Sequence, residues 1–271
     1  MSKRIAFIGG GNMASAIIGG LLGRGTLPSQ IEVVDPFEPA REKLERNYGL
    51  VTRAQPDAHL TEADLVVWAV KPQTFKDAAL QAQLHTQDAL HLSVAAGIRS
   101  DSIARWLGTE RVVRAMPNTP ALIGKGISAL FARSAVDEPD KAWIGHIMAS
   151  TGEFLWLDSE DQLDVVTAMS GSGPAYLFYF MEAMTTAGVE MGLSREQAHQ
   201  LTVTTFVGAS ELARRSDEAP KILRQRVTSK GGTTDAAISS MEDDDMQAQF
   251  INAIYAARKR AKQLGDEFGA A

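Results

Sequence analysis

A glycine-rich turn between the first strand and the first helix constrains the fold of this chain more than any other feature. Residues 5–8 form a short apolar run, and residues 13–22 carry apolar side chains at helical spacing. Between them, Gly9-x-Gly11-x-x-Ala14 matches the G-x-G-x-x-G/A pattern. The first glycine allows a tight turn, the second lets the backbone approach a pyrophosphate, and the small third residue packs the helix on the strand. The pattern predicts a β-α-β unit that binds a dinucleotide at the start of the helix.

Apolar strands that end at turn-forming or helix-starting residues continue through the first half of the chain. They cover residues 31–34, 64–70, 90–95 and 111–116 and end, in order, at Asp35, Lys71-Pro72, Gly97 and Pro117-Asn118. Continuous apolar strands that alternate with helices are typical of a parallel sheet buried on both faces. Because ligands of such sheets bind at the carboxyl ends of the strands, these end residues lie where a dinucleotide would bind.

The second half of the chain has a different character, because long segments of helical periodicity replace the strand-like runs. Residues 174–192 begin with proline and end with glycine, and residues 194–197 form a capping box. We therefore predict an α/β fold with two domains. Residues 1–157 form a Rossmann-type parallel-sheet domain, and residues 158–271 form an all-helical domain.

The composition excludes several classes of function. The 271 residues include no cysteine, which removes disulfides and thiolate chemistry and fits a reducing cytoplasm. A net charge of -6 provides no basic field for nucleic acid. No apolar run approaches the roughly 20 residues that span a bilayer, and no histidine pair has metal-ligand spacing. We expect a cytoplasmic protein with no metal, nucleic-acid partner or membrane segment.

Asp35 ends the second strand and is the candidate ligand of the adenosine ribose. A carboxylate there accepts hydrogen bonds from the ribose hydroxyls, which favours NADH and repels the additional phosphate of NADPH. Asp35 also precedes a helix and could instead cap it. Arg41 is the nearest cation that could offset a phosphate, so both NADH and NADPH remain candidate cofactors.

A second glycine-rich segment, residues 229–234 with the sequence SKGGTT, precedes a run of helical spacing at residues 235–241. Successive N–H groups around two glycines and a helix N-terminus can bind an anion, such as a substrate carboxylate. An ordinary capped loop is the alternative. The glycines of residues 170–174 pose the same question, and we interpret them as allowing close packing.

Six blocks of sequence together resemble the pyrroline-5-carboxylate reductase family. They are GGGNMA at residues 9–14, AVKPQ at 69–73, AAGI at 95–98, RAMPNTP at 114–120, SGSGPAY at 170–176 and VTSKGGTT at 227–234. The blocks span nearly the whole chain. The first is shared by many dehydrogenases, whereas the last, continued by AISSME at residues 237–242, is specific to this family.

The resemblance implies two groups of site residues. The cofactor would contact Gly9, Gly11, Asn12, Met13, Ala14, Asp35, Ala69, Val70, Lys71, Pro72, Ala95, Ala96, Gly97 and Asn118. The substrate would contact Val227, Ser229, Lys230, Gly231, Gly232, Thr233 and Thr234, with Thr234 as the catalytic residue beside the ring nitrogen.

The resemblance also implies an activity and an assembly. The family transfers a hydride from nicotinamide C4 to C5 of 1-pyrroline-5-carboxylate, which gives L-proline, the last step of proline biosynthesis. Its members form dimers through the helical domain, often within decamers, and complete the active site across the dimer. Two residues depart from the family pattern: Lys230 stands where proline is common, and Asp35 replaces the small polar residue of NADPH-preferring members.

Two alternatives compete with this interpretation. A β-hydroxyacid dehydrogenase needs a catalytic lysine followed four residues later by asparagine or aspartate, and only Lys262 and Asp266 in the helical half have that spacing. A non-catalytic NAD(P)H-binding redox sensor would share the glycine turn, but it has no need of a second anion site at residues 229–234.

Overall fold

The computed structural model describes residues 3–269. Within them lie eight strands: β1 (Ile5–Ile8), β2 (Ile31–Val34), β3 (Val51–Arg53), β4 (Leu65–Trp68), β5 (Leu90–Ser93), β6 (Val112–Met116), β7 (Gly126–Ala132) and β8 (Gly152–Trp156). The same part of the chain contains eleven α-helices: α1 (Asn12–Gly23), α2 (Glu38–Tyr48), α3 (Pro72–Ala82), α4 (Ser100–Leu107), α5 (Glu138–Ala149), α6 (Gln162–Val166), α7 (Gly173–Glu190), α8 (Arg195–Arg215), α9 (Pro220–Arg226), α10 (Thr233–Asp243) and α11 (Met246–Gly269).

The strands form one sheet in the order β3-β2-β1-β4-β5-β6-β7-β8. All neighbours from β3 to β6 pair in parallel, β7 runs antiparallel to β6, and β8 is parallel to β7. The strand order reverses direction between β1 and β4, which creates a crevice at the carboxyl ends of these strands. We call this side of the sheet, where β1, β2, β4, β5 and β6 end, the carboxyl edge. The predicted α/β fold is confirmed.

The sheet is buried on both faces, and most residues of its central strands are apolar. On one face, α1 and α5 contribute Ile17, Ile18, Ile144 and Met148 to a cluster that contains Phe7. On the other face, helices α3 and α4 pack against Trp68, which is fully buried. Burial of one such large side chain contributes about 1.5–3 kcal/mol, so the carboxyl edge is carried by a rigid scaffold.

Several elements were not predicted from the sequence. They include the short strand β3 and the two strands β7 and β8, of which β7 runs antiparallel to β6. A π-helical turn, Thr167–Gly171, interrupts the chain between α6 and α7. The helix predicted to begin at residue 235 begins at Thr233, because Gly232 is already its extended N-cap.

The chain divides into two compact units. The first comprises the described residues up to Ser172 and those from Ala257 onward, and the second is Gly173–Ala256. The final helix α11 contributes to both units. The domains predicted from sequence character, residues 1–157 and 158–271, stay a prediction.

The helical unit contains α7 to α10 and the first part of α11. The capping box predicted at residues 194–197 is present, since Ser194 accepts the N–H of Gln197 and the Gln197 side chain accepts that of Ser194. Helices α7 and α8 approach closely where Gly188 faces Ala198. Among the described residues of this unit, Ala198 is the one apolar side chain in the buried core. No helix within residues 3–269 is both long and apolar enough to cross a membrane.

Candidate functional site

The glycine turn after β1 adopts a conformation that only glycine accepts readily. Gly9 has a φ of 99°, in the left-handed region. A Cβ atom at this position would stand 2.6 Å from the carbonyl oxygen of Ala69. The N–H of Gly9 donates to the carbonyl of Val34 at 2.8 Å, which holds the turn against the end of β2. The turn is thereby fixed at the point where the strand order reverses.

The N-terminus of α1 is open to a ligand. Gly11 is its N-cap in extended conformation, and no side chain among the described residues caps the helix. A Cβ atom added at Gly11 would meet nothing within 4 Å, so free space lies directly over the helix start. The first N–H groups of a helix have no intrahelical acceptor and carry the positive end of its dipole. This arrangement fits a pyrophosphate, and Asn12 and Met13, the first helical residues, lie at its border.

Asp35 lies at the end of β2, beside the glycine turn. Its Oδ2 accepts the N–H of Gly10 at 2.6 Å, and its Oδ1 accepts the N–H of Phe37 at 2.8 Å. Phe37 is the N-cap of α2, so Asp35 fastens both the glycine turn and the start of the helix. From the sequence alone, Asp35 could be either a ribose ligand or a helix cap. In the structure its carboxylate binds the N–H of the N-cap residue Phe37, two residues further on, and so supports the start of α2.

The remaining predicted cofactor residues lie along the carboxyl edge. Ala69 and Val70 follow β4 and are half-buried, and Lys71 is the N-cap of α3, whose first residue is Pro72. Ala95, Ala96 and Gly97 follow β5, and Asn118 follows β6. The structure therefore brings all fourteen predicted cofactor positions to one side of the sheet.

Two of these positions also have structural roles. Gly97 has a φ of 72°, and a Cβ there would lie 3.1 Å from the Cβ of Leu264 on α11. The side-chain oxygen of Asn118 accepts the N–H of Ile127 at 3.0 Å and so anchors the start of β7. Gly97 and Asn118 therefore have structural roles in addition to their predicted place in the cofactor site.

The predicted substrate loop joins α9 to α10. Val227 is the C-cap of α9 and is largely exposed, while Gly231 has a φ of 73°. The N–H of Gly232 donates to the carbonyl of Ser229 at 2.9 Å. Gly232 then forms the N-cap of α10 without a capping side chain. The loop leads directly into α10. The first N–H groups of this helix, those of Thr233 and Thr234, remain available to an anion.

Asp235 is a residue of this loop that the sequence analysis missed. Its Oδ2 accepts the N–H of Gly231 at 2.8 Å. The N–H groups of both glycines are therefore used to shape the loop, which leaves Thr233 and Thr234 as the donors. An acidic side chain at the third position of a helix commonly binds back to the preceding turn, and that spacing was the signal available in the sequence.

Lys230 and Thr234 differ in exposure. Lys230 is exposed, whereas Thr234 is half-buried in the first turn of α10. The alternative lysine, Lys262, is exposed on α11, and Asp266 four residues later accepts from Arg99 at 3.2 Å. Asp266 thus serves an ion pair of the first unit rather than a lysine-based catalytic pair.

A buried ion pair fixes the segment that follows β8 to the sheet. Arg114 on β6 is 7% exposed and donates to Oε1 of Glu160 at 2.6 Å. Glu160 also accepts the N–H and the hydroxyl of Ser100 on α4. A charge buried this deeply is tolerated only when it is paired, so this contact holds the chain ahead of the π-helical turn.

Across residues 3–269, no group of three or more His, Asp or Glu side chains could hold a metal ion. The open helix N-terminus, the strand-order reversal and the conformation of Gly9 define a dinucleotide-binding protein of the Rossmann type.

Comparison with known proteins identifies the family. Residues 160–264 match the family described as pyrroline-5-carboxylate reductase dimerisation, and residues 4–97 match the NADP oxidoreductase coenzyme F420-dependent family. Over 272 aligned residues the chain is 44% identical to a pyrroline-5-carboxylate reductase of Pseudomonas aeruginosa, with 99% of each protein covered. The chain belongs to the pyrroline-5-carboxylate reductase family.

Solved structures agree with this assignment. A pyrroline-5-carboxylate reductase from Coxiella burnetii superposes with a TM-score of 0.89 and 39% identity, covering 97% of this chain and 99% of the other. The Plasmodium falciparum pyrroline carboxylate reductase, solved with NADP bound, superposes with a TM-score of 0.88 at 28% identity, covering 97% and 98%. The resemblance found in the sequence blocks is thereby confirmed.

Proposed function

We propose that this chain reduces 1-pyrroline-5-carboxylate to L-proline with NAD(P)H, the last step of proline biosynthesis. The observation that carries the proposal is the 44% identity to a pyrroline-5-carboxylate reductase over 99% of both proteins. That match includes both the carboxyl edge and the loop at residues 227–234. The protein is an oxidoreductase, and its cofactor is NADPH or NADH.

The carboxyl edge provides the cofactor site. The pyrophosphate lies on the free N–H groups of α1 over Gly11, where the protein leaves open space. Ala69 to Pro72 and Ala95 to Gly97 border the remainder of the dinucleotide, because the crevice lies outside these strand ends. When bound, the reduced nicotinamide supplies the hydride.

The loop ahead of α10 provides the substrate site. The N–H groups of Thr233 and Thr234 hold the carboxylate of the substrate, with Ser229 and Lys230 beside it. The hydroxyl of Thr234 lies next to the ring nitrogen and orients it. The C=N bond accepts the hydride at C5, and its π electron pair moves to the nitrogen, which already carries a proton. Positioning and electrostatics suffice for this step, so no strong general base is required.

The chain acts as a homo-oligomer, with a homodimer formed through the helical unit. Its residues 173–256 leave large apolar side chains exposed, among them Phe178, Tyr179, Leu201, Val207, Leu212 and Tyr255. A surface this apolar is typical of a protein interface. We place the dimer in a larger assembly such as a decamer, in the cytoplasm, with the active site completed across the dimer and with no nucleic-acid or membrane partner.

The test is direct. Purified protein is mixed with 1-pyrroline-5-carboxylate and either NADPH or NADH, the nicotinamide absorbance is followed, and proline is quantified. We expect cofactor oxidation matched by an equal amount of proline. Binding of both cofactors without oxidation of either would refute the reductase and favour the redox-sensor alternative.

A further inference from the structure

Arg41 is a half-buried cation at the adenosine end of the carboxyl edge. It lies in the first turns of α2, and its Nη1 donates to the main-chain carbonyl of Asp35 at 2.8 Å. That carbonyl belongs to the residue that directly follows β2. The guanidinium is therefore anchored where the adenosine ribose of a dinucleotide lies in this type of fold.

The charge of Arg41 is not neutralised by the protein. Within residues 3–269, Arg41 forms no ion pair, whereas its neighbours do: Arg46 pairs with Glu42 and Arg53 pairs with Asp57. A guanidinium has five N–H donors in a rigid fork, and one of them suffices for the contact with the Asp35 carbonyl. The other donors have no acceptor in the described chain.

Asp35 does not compete for these donors. Both of its carboxylate oxygens accept main-chain N–H groups, those of Gly10 and Phe37. Its carboxylate is thus held toward the glycine turn and the start of α2. A partly satisfied carboxylate with a fixed orientation repels an anion less than a free one, and an unpaired arginine beside it attracts one.

We propose that Arg41 binds the 2′-phosphate of NADPH and so determines that this chain uses NADPH despite Asp35. The inference rests on the proposed function only where turnover is measured, because binding of the dinucleotide can be measured without the reaction. Arginine matches phosphate oxygens bidentately, which a lysine at the same place cannot do.

Kinetics of three variants test the proposal. Arg41→Gln keeps a side-chain donor for the Asp35 carbonyl and removes the charge, and Arg41→Lys keeps the charge without the fork. Arg46→Gln is the matched control, since it removes an exposed arginine of the same helix. We expect the ratio of kcat/KM for NADPH to that for NADH to fall about tenfold in Arg41→Gln and by less in Arg41→Lys. In Arg46→Gln the ratio stays at the wild-type value.

Binding of two cofactor fragments separates this inference from the reductase assignment. Calorimetry compares adenosine 2′,5′-bisphosphate with adenosine 5′-monophosphate on the full-length protein. We expect tighter binding of the bisphosphate by the wild type and loss of that preference in Arg41→Gln. Equal binding by the wild type, or an unchanged preference in Arg41→Gln, would overturn the proposal. Absence of turnover with either cofactor would instead refute the reductase, and the fragment comparison would still decide the role of Arg41.

Discussion

At the scale of single residues, the two glycines of the first turn have different physical roles. Gly9 is required by its backbone, because its φ is positive and a Cβ would collide with the carbonyl of Ala69. Gly11 has an ordinary φ of -72° and open space where a Cβ would be. A substitution at Gly11 should therefore weaken cofactor binding without affecting stability, whereas one at Gly9 should also destabilise the fold.

This difference predicts opposite outcomes for two small substitutions. Gly9→Ala should lower the thermal midpoint of unfolding, because strain of about 1–3 kcal/mol accompanies an alanine forced into this conformation. Gly11→Ala should fold with an unchanged midpoint but bind NADPH at least several-fold more weakly, since the methyl group occupies the approach to the helix N-terminus. Scanning calorimetry and NADPH fluorescence titration measure the two effects. A Gly11→Ala protein with wild-type affinity would contradict the placement of the pyrophosphate.

Thr234 is expected to position the substrate rather than to transfer a proton to it. Thr234→Ala should lower kcat/KM by about 10- to 100-fold without abolishing turnover, a range typical of a lost orienting hydrogen bond. Thr234→Ser retains the hydroxyl and should recover most of the activity. Steady-state kinetics at saturating NADPH provide the measurement. If Thr234→Ala is unaffected while Lys230→Ala is inactive, the catalytic role belongs to Lys230.

At this scale the sequence indicated which residues are candidates for the site, but not the hydrogen bonds that these residues form. The glycine turn and Thr234 follow from spacing and from the family resemblance. The double engagement of Asp35 by Gly10 and Phe37 does not, because those bonds depend on how the end of β2 approaches the turn. Asp235 was missed because the helix was predicted to begin at residue 235, so its place as the third helical residue, from which it binds Gly231, was not recognised.

At the scale of elements, β5 carries a buried histidine that couples stability to pH. His91 accepts a hydrogen bond from Nε1 of Trp68 at its Nδ1 and contacts the carbonyl of Thr86 through Nε2. Burial lowers the pKa of His91 from 6.5 to about 4, and the positive charge of Arg111 acts in the same direction. The folded protein therefore keeps this imidazole neutral.

The sign of the pH dependence follows from that pKa. Between about pH 6.5 and pH 4 the unfolded chain binds a proton at His91 that the folded chain does not. The contribution of neutral His91 to the free energy of unfolding is therefore complete above about pH 6.5. It is lost as the pH falls toward about 4, and the total loss is on the order of 3 kcal/mol.

Urea denaturation at a series of pH values measures this loss. His91→Gln should flatten the dependence, whereas the exposed His146 on α5 provides a control, and His146→Gln should leave the dependence as in the wild type. A wild-type slope that persists in His91→Gln would assign the effect to other groups.

The elements themselves were predicted unevenly. The central strands were found because continuous apolar runs flanked by breakers are a strong signal. Strands β7 and β8 were not, because each begins with glycine and includes a polar residue, Ser128 on β7 and Glu153 on β8, and because their pairing depends on tertiary context. The π-helical turn at Thr167–Gly171 has no sequence signal that we could use.

At the scale of the whole molecule, the helical unit buries few of its apolar side chains completely. Its buried apolar core consists of Ala198 among the described residues, and its surface exposes many large apolar side chains. We therefore expect this unit to gain part of its stability from association, which would cover the exposed apolar side chains.

Association should make the thermal midpoint depend on protein concentration. We expect the midpoint to fall as the protein is diluted, because dissociation uncovers the helical unit. Light scattering coupled to size exclusion should give a mass of at least two chains under the same conditions. A folded monomer with a midpoint independent of concentration would rule out the proposed dimer.

The proposed function depends above all on transfer of the cofactor's hydride to C5 of 1-pyrroline-5-carboxylate. The most direct measurement uses NADPH carrying deuterium at the transferable position of C4 and analyses the product by mass spectrometry. We expect L-proline with one deuterium at C5. Proline without the label, or oxidation of the cofactor without proline, would contradict it.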